Sequence, residues 1–128
     1  MAGLSPTQRT LNWLREKGYT VGTVERWVPK PGMPGGGFKQ DYLGIIDLIA
    51  LGADGVIGVQ STGSAWSEHM QKLIVTNADM TRIWLETPGT TLLLIGWRKC
   101  KRRLPGGGWS KAAYWTPREQ QITLDMLS

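Results

Sequence analysis

Residues 41–62, DYLGIIDLIALGADGVIGVQST, decide the fold of this chain. Two apolar runs flank the turn-forming sequence Gly-Ala-Asp-Gly, which predicts strands at about 43–51 and 55–61 joined by a tight turn. Asp47 lies inside the first apolar run. A carboxylate in a strand that is buried on both faces is unfavourable unless something pairs with it, and a metal ion or a catalytic role is the usual reason to keep one.

The N-terminal part of the chain predicts a helix, a strand and a loop. Ser5 can cap a helix whose first position is Pro6, and Gly18 is typical of a residue that ends a helix. Residues 19–28 are rich in β-branched and aromatic side chains and predict one strand. Residues 29–37, PKPGMPGGG, predict a flexible loop that can contact DNA.

The C-terminal part predicts a helical region followed by a basic hairpin. Apolar side chains spaced by three and four predict helix over about 66–86, and residues 76–79 can divide it in two. A basic β-hairpin is predicted at about 91–116, then a bend at 117–119 and a short last strand at 122–127.

The order of these elements predicts a single α/β domain over residues 1–128, with a mixed central sheet flanked by helices. No apolar run approaches the roughly 18 residues that span a membrane, and the N-terminus does not resemble a signal peptide. We therefore expect a cytoplasmic protein with no membrane partner. Cys100 is the single cysteine, so it forms no internal disulfide and makes no zinc site alone.

Positive charge is concentrated in one stretch of the chain. The net charge is +5, and residues 98–103 hold five Lys and Arg without an acid. This cluster favours a polyanionic partner, most simply nucleic acid, although a solvated basic hairpin is the ordinary alternative. Trp66, Trp97, Trp109 and Trp115 can stack on bases or form half-buried core.

Strand alternation brings oxygen ligands to one face of the second strand. Gly58, Gln60 and Thr62 share that face because successive side chains alternate. Asp47 and the side-chain oxygen of Gln60 could together hold Mg²⁺, with water filling the other positions. Such an ion would activate water and neutralise charge on a phosphate.

These motifs resemble the PD-(D/E)XK nuclease superfamily. The resemblance lies in a first helix and strand, the sequence Gly-Ile-Ile-Asp at 44–47, a turn, a strand ending Gly-Val-Gln-Ser-Thr at 58–62, and a helix after it. Within the superfamily the chain looks most like archaeal-type Holliday junction resolvases and small phage-encoded nucleases. The resemblance covers about residues 5–86 and implies a restriction-endonuclease-like αβββαβ core.

The resemblance assigns roles to particular residues. In the superfamily an aspartate, matched by Asp47, binds Mg²⁺, for which Mn²⁺ can substitute, and a Glu-x-Lys on the next strand supplies a ligand and a catalytic lysine. Gln60 takes the glutamate position if Thr62 takes that of the lysine. The alternative puts Gln60 in place of the lysine and Gly58 in place of the glutamate. We favour the first alignment because it retains a ligand on the strand.

Other residues can compensate for the missing charges. Lys72, on the predicted helix, is the best candidate for the catalytic lysine, and His69 shares its helix face. Glu25 or Asp41 can supply the missing acid, since the resolvases' first-helix glutamate is also absent. Each of these four side chains also has an ordinary explanation, as a surface charge, a cap or half of an ion pair.

The resemblance implies an Mg²⁺-dependent endonuclease of DNA recombination, acting as a homodimer on branched DNA such as Holliday junctions. We expect Asp47, Gln60, Lys72 and Glu25 to act in catalysis, with Asp41 as a further ligand. The expected DNA contacts are Arg98, Lys99, Lys101, Arg102, Arg103, Lys30, Lys39, Thr62 and His69. Two alternatives remain: a DNA-binding module that has lost catalysis, and an RNA-binding or protein-interaction adaptor that uses the C-terminal hairpin.

Overall fold

Three α-helices and seven strands form over residues 3–128, which the computed structural model describes. The helices are α1 (Pro6–Glu16), α2 (Trp66–Gln71) and α3 (Ala78–Glu86), and a π-helical turn, Lys72–Thr76, joins α2 to α3. The strands are β1 (Thr20–Thr23), β2 (Arg26–Pro29), β3 (Gly37–Gln40), β4 (Leu48–Gly52), β5 (Gly55–Thr62), β6 (Thr90–Arg103) and β7 (Trp109–Ile122). The first two positions of the domain predicted over residues 1–128 lie outside the described residues.

The described strands form a mixed five-stranded sheet in the order β1-β4-β5-β6-β7, and β2 and β3 pair as a separate hairpin. β5 and β6 are parallel, while the other neighbours in the large sheet are antiparallel. A parallel pair needs a crossover connection, and the segment from α2 to α3 provides it. The predicted mixed α/β sheet flanked by helices is therefore confirmed.

Helices cover both faces of the sheet. On one face, Leu11 and Leu14 of α1 pack against Leu48, Val59 and Ile95. On the other face, the region from α2 to α3 packs over a second buried cluster: Ile45, Ile46, Leu73, Leu92, Leu94 and Ile122. The alternation of β6, with Ile95 on one face and its neighbour Leu94 on the other, divides the core in this way. No helix among the described residues combines the length and apolar character that crossing a bilayer requires.

Helix α1 has the boundaries that the sequence predicts. The Ser5 side chain accepts a hydrogen bond of 3.1 Å from the Gln8 main-chain N–H, and Pro6 occupies the first helical position. Gly18 follows the helix with φ 94°, a left-handed conformation that glycine adopts without the steric penalty of a Cβ atom. The cap and the glycine therefore end the helix where local sequence specifies.

The single strand predicted over residues 19–28 is wrong, because the chain leaves the central sheet after Thr23. The main-chain N–H groups of Val24 and Glu25 both donate to the Asp47 carbonyl, at 2.9 and 3.4 Å. The following residues then pair with β3 instead of with the sheet. This break brings Glu25 beside Asp47.

The predicted start of the next strand is also corrected. The strand predicted at about 43–51 begins only at Leu48, because residues 42–46 form a turn in which Leu43 has φ 57° and the Tyr42 N–H bonds the Ile46 carbonyl. Asp47 therefore stands at the start of the strand rather than in its middle.

The predicted bend at 117–119 and the last strand at 122–127 are also wrong. β7 continues unbroken to Ile122, and a 3₁₀ turn, Leu124–Met126, follows it. Pro117 is tolerated within β7 because this strand lies at the edge of the sheet, where a missing N–H donor need not break a ladder.

Candidate metal centre and nucleic-acid surface

Asp47 is held at the junction of β4, β5 and the segment after β1. Its N–H donates to the Val59 carbonyl at 2.9 Å. Its side chain is buried, with 4 % of the residue exposed. Carboxylate atom Oδ2 accepts hydrogen bonds from the Ser61 N–H at 2.8 Å and from Gln60 Nε2 at 2.7 Å. The orientation of this carboxylate is therefore set by β5.

Three carboxylates converge at this point. Glu25, Asp41 and Asp47 each offer an oxygen atom, and these atoms all lie within 4.8 Å of one another. Glu25 precedes β2, Asp41 follows β3 and Asp47 precedes β4, so each comes from a different segment. Clustered carboxylate oxygens are the ligands that Mg²⁺ and Mn²⁺ prefer. We call these three residues the carboxylate cluster.

The carboxylate cluster opens into a cleft of about 510 Å³. The N-terminus of α1 and the loop after β5 form its walls, and its polar lining includes Ser5, Thr7, Thr62, Ser64 and His69. A phosphate group can therefore approach the cluster from solvent, while Asp47 itself lies at the bottom of the cleft.

Burial and the closeness of the carboxyl groups shift the pKa values of two acids in the carboxylate cluster. Burial first, and the neighbouring Asp41 second, raise the pKa of Asp47 from 3.8 to about 8. Burial alone would raise the pKa of Asp41 too, but the hydrogen bond with Asp47 and the Lys72 ammonium hold it below its ordinary value. Asp47 thus carries a proton near neutral pH. A divalent cation would replace that proton, which is how metal binding couples to protonation.

Two lysines neutralise the outer acids of the cluster. Lys72 Nζ forms an ion pair with Asp41 Oδ2, and both side chains are largely shielded from water. Lys39 Nζ lies 3.4 Å from Glu25, with the lysine side chain mostly exposed. Lys72 begins the π-helical turn, a distortion that recurs at functional sites. Lys72 therefore lies at the carboxylate cluster, whereas Lys39 reaches it from the solvent side.

Gln60 provides a test of whether the site fits a cation. The residue is 1 % exposed, and its Nε2 donates to Asp47. Its Oε1 is buried, and no donor among residues 3–128 lies within hydrogen-bond distance. A buried acceptor without a donor is costly in an ordinary core. Beside three carboxylates, a neutral amide oxygen of this kind suits a hard divalent cation, so the residues present fit the ion.

Thr62 and His69 line the cleft without adding positive charge. Thr62 is 3 % exposed and places a buried hydroxyl at the cleft. Burial and the nearby Lys72 lower the pKa of His69, which keeps its imidazole neutral at pH 7. A contact from His69 to DNA would therefore be a neutral hydrogen bond rather than an ion pair.

A buried polar network beneath the cleft was missed by the sequence reasoning. Ser61 Oγ and Trp97 Nε1 both donate to Thr10 Oγ1, each at 2.9 Å, and Thr10 is fully buried. The network connects α1 to Ser61, and the N–H of Ser61 donates to the Asp47 carboxylate. The available signal was Thr10 itself, a polar residue four positions before the buried Leu14 on the core face of α1.

The second surface is a two-stranded extension of the sheet. β5 pairs with β6 only as far as Thr62 opposite Gly96, whereas β6 and β7 remain paired to Arg103 opposite Trp109. We call residues 98–116 the basic arm. It holds six of the 15 Lys and Arg and no acid, leaving nine positive charges against ten negative ones elsewhere. The net positive charge of the chain therefore resides in the basic arm.

Aromatic rings in the basic arm lie against its cations. The Arg102 guanidinium is 3.8 Å from the Tyr114 ring centroid and that of Arg103 is 5.4 Å from Trp109. Arg9 of α1 lies 4.0 Å from Trp115. Such contacts orient guanidinium groups for phosphate binding. The other two candidate tryptophans belong to the body of the domain, since Trp97 is buried and the Arg118 guanidinium covers Trp66.

The structure brings together the side chains expected in catalysis and metal binding. The cleft is lined by Asp47, Gln60, Asp41 and Glu25, and Lys72 lies next to it in its ion pair with Asp41. Of the expected DNA contacts, five lie in the basic arm, whereas Lys30 is exposed in the loop between β2 and β3. Comparisons with models of known protein families, with curated proteins and with solved structures found no match.

Proposed function

We propose that the protein is an Mg²⁺-dependent endonuclease that hydrolyses phosphodiester bonds in DNA. The observation that carries this proposal is the carboxylate cluster, in which acids from two other segments meet the buried Asp47 beside an amide oxygen that has no donor among residues 3–128. Among residues 3–128, Lys72 and Lys39 pair with the two outer acids, whereas the Asp47 carboxylate is met by the neutral donors of Gln60 and Ser61. The raised pKa of Asp47 indicates that a cation bound at the same position would be favourable.

The arrangement of elements supports a restriction-endonuclease-like core. Once the inserted β2–β3 hairpin is set aside, the order along the chain is αβββαβ: α1, β1, β4, β5, the segment from α2 to α3, and β6. Leu48 pairs with Val59, which sets Asp47 beside Gln60 across the two strands. This register favours the alignment in which Gln60 takes the glutamate position and Thr62 that of the lysine.

Each residue of the cleft then has a chemical role. Asp47, Asp41, Glu25 and the Gln60 oxygen would hold Mg²⁺, which supplies water of lowered pKa and neutralises charge on the phosphate. Asp47 gives up its proton on metal binding. Lys72 holds an ammonium group beside Asp41, where it can stabilise negative charge that develops on phosphate oxygens.

The basic arm supplies the affinity for DNA in this proposal. Its six positive charges are spread over two paired strands, and a two-stranded ribbon fits the major groove of a duplex. Binding to phosphates releases counterions, so the affinity should fall steeply as salt rises. Branched DNA as the substrate and a homodimer as the active form are proposed from the resemblance to junction resolvases.

A DNA-binding module without catalysis is the second candidate. Thr62 occupies the expected lysine position, and the Lys72 ammonium is already paired with Asp41. If that ion pair persists when DNA binds, and Lys39 stays paired with Glu25, neither lysine is free to stabilise the reacting phosphate. The basic arm would then bind DNA without cleaving it.

Cleavage of a four-way junction and of supercoiled plasmid, with magnesium or with EDTA, separates these candidates. We expect magnesium-dependent cleavage by the wild type, and loss of cleavage in Asp47→Ala. Asp54→Ala, at an exposed acid between β4 and β5, is the matched control and should retain activity. Tight junction binding without cleavage would favour the binding module. Equal activity of Asp47→Ala and the wild type would rule out the proposed site.

A further inference from the structure

Trp27 lies on the side of the β2–β3 hairpin that faces the carboxylate cluster. It is opposite Lys39 in the register of the hairpin, so the two side chains share a face. Lys39 in turn contacts Glu25 of the cluster at 3.4 Å. The ring is thus placed beside the cleft by the same short hairpin that brings Glu25 and Lys39 to it.

The Trp27 ring is fixed against the hairpin although it is largely exposed. The residue is 55 % exposed. A Cβ atom at Gly37 would lie 2.8 Å from Trp27 Cζ2 and 2.4 Å from the Val28 carbonyl oxygen. Glycine at this position therefore lets the ring lie close to the backbone. A large apolar ring that is both fixed and exposed is suited to stacking on a ligand.

A groove leads from the carboxylate cluster to Trp27. A second cavity, of about 280 Å³, is lined by Trp27, Arg26 and the first turn of α1. It shares Ser5, Thr7, Glu25 and Lys39 with the larger cleft. The two cavities are therefore neighbouring parts of one surface. A chain bound across the cluster can continue into the groove without leaving the protein.

The aromatic rings of the basic arm differ from Trp27 in one respect. Tyr114, Trp109 and Trp115 each have an arginine or lysine over a ring face. No arginine or lysine among residues 3–128 lies over the Trp27 ring in this way. The Trp27 ring is therefore open to a flat, electron-poor ligand such as a nucleobase.

We propose that Trp27 is a stacking platform for an unpaired nucleobase next to the phosphate held at the carboxylate cluster. A base inside a duplex has both faces covered by its neighbours, so stacking on a side chain needs a base that has left the helix. Arg26 and Lys39 at the groove attract the phosphates on either side of it. The position of the phosphate rests on the proposed function, whereas the stacking of the base does not.

The test compares binding to two DNA duplexes in EDTA, so that no cleavage occurs. One duplex is fully paired, and the other carries a single unpaired 2-aminopurine whose fluorescence reports stacking. We expect Trp27→Leu to weaken binding to the second duplex by roughly 10- to 100-fold, the range measured for single base–aromatic stacks, and to abolish the quenching of 2-aminopurine. Trp27→Phe should retain both the affinity and the quenching.

Phe38→Leu is the matched control, since Phe38 is as exposed as Trp27, at 55 %, but lies on the opposite face of the same hairpin. It should leave the preference for the unpaired base unchanged. Equal losses for both duplexes in Trp27→Leu, or quenching that survives in it, would overturn the proposal. If only the nuclease proposal fails, the wild type will not cleave DNA, but its preference for the duplex with the unpaired base will still depend on Trp27.

Discussion

The carboxylate cluster and the basic arm carry opposite charges and are built in opposite ways. The acids of the cluster are separated by up to 22 positions in the chain, between Glu25 and Asp47, and meet only in the folded protein. The cations of the arm are mostly neighbours in sequence, in residues 98–103, and lie on one exposed hairpin.

The two regions therefore differ in how strongly water and salt screen their charges. In the cleft, burial first and the neighbouring Asp41 second raise the pKa of Asp47 to about 8, because an ionised carboxyl group is costly in a low-dielectric environment. Like charges on the basic arm are screened by water and salt, so they destabilise the fold little. Substitutions in the cleft should therefore change stability and chemistry, whereas substitutions in the arm should change DNA affinity alone.

Gln60→Glu should have the largest effect on stability. It replaces the buried donor to Asp47 with another carboxyl group, so we expect the free energy of unfolding in EDTA to fall by about 3 kcal/mol. Mn²⁺ should restore the loss, since the new carboxylate is a stronger ligand. Urea denaturation with and without Mn²⁺ measures both. Gln71→Glu, on an exposed face of α2, is the control, and an equal loss there would contradict the role of Gln60.

Lys72→Gln should have the next largest effect, and it should lower the rate of DNA cleavage. If Lys72 stabilises the reacting phosphate, cleavage falls by roughly 100-fold, as for loss of one preorganised electrostatic group. The affinity for Mn²⁺ should rise at the same time, since Asp41 loses its competing cation. Single-turnover cleavage and metal titration check the two effects. Lys17→Gln, at the exposed end of α1, should change neither. Unchanged cleavage in Lys72→Gln would favour the binding module.

Asp47→Asn should stabilise the metal-free protein at high pH. The folded-state pKa of Asp47 lies above its ordinary value, so its contribution is fully present near pH 4 and is lost as the pH rises towards 8. Asparagine keeps the shape and cannot ionise, so the variant should exceed the wild type by about 2 kcal/mol at pH 8.

The two proteins should differ much less at pH 5, where wild-type Asp47 is protonated. Urea denaturation in EDTA at both pH values measures the direction of this pH dependence. Asp54→Asn is the control, and its stability should follow that of the wild type. A wild type that gains stability relative to Asp47→Asn between pH 5 and pH 8 would contradict the raised pKa of Asp47.

Alanine substitution of three arm cations should have the smallest effect on stability. We expect the free energy of unfolding to change by no more than about 0.5 kcal/mol when the substituted residues are Lys99, Lys101 and Arg103. The slope of log affinity for DNA against log salt should fall by up to about 2.7, since each phosphate contact contributes roughly 0.9. Fluorescence anisotropy at several salt concentrations measures the slope. The control removes three exposed cations elsewhere: Arg15, Lys17 and Arg82. An equal change of slope in the control would show that the arm has no special role.

Much of the fold could be predicted because its signals are local. The Ser5 cap and Gly18 set the ends of α1, and the turn before Gly55 joins β4 to β5 as expected. The division of the second helical region near residues 76–79 also follows the sequence, since a π-helical turn ends at Thr76. The bend predicted at Pro117 failed because its position on an edge strand depends on the whole sheet.

The sequence by itself determined the paired strands around Asp47 and the concentration of positive charge in residues 98–103, since periodicity and composition are properties of neighbouring residues. Only the tertiary structure decided which groups meet Asp47. Main-chain hydrogen bonds from Val24 and Glu25 to the Asp47 carbonyl turn the chain out of the sheet. The β2–β3 hairpin then returns Asp41 to the same place. Such long-range hydrogen bonds depend on strand register and packing, which no local pattern encodes.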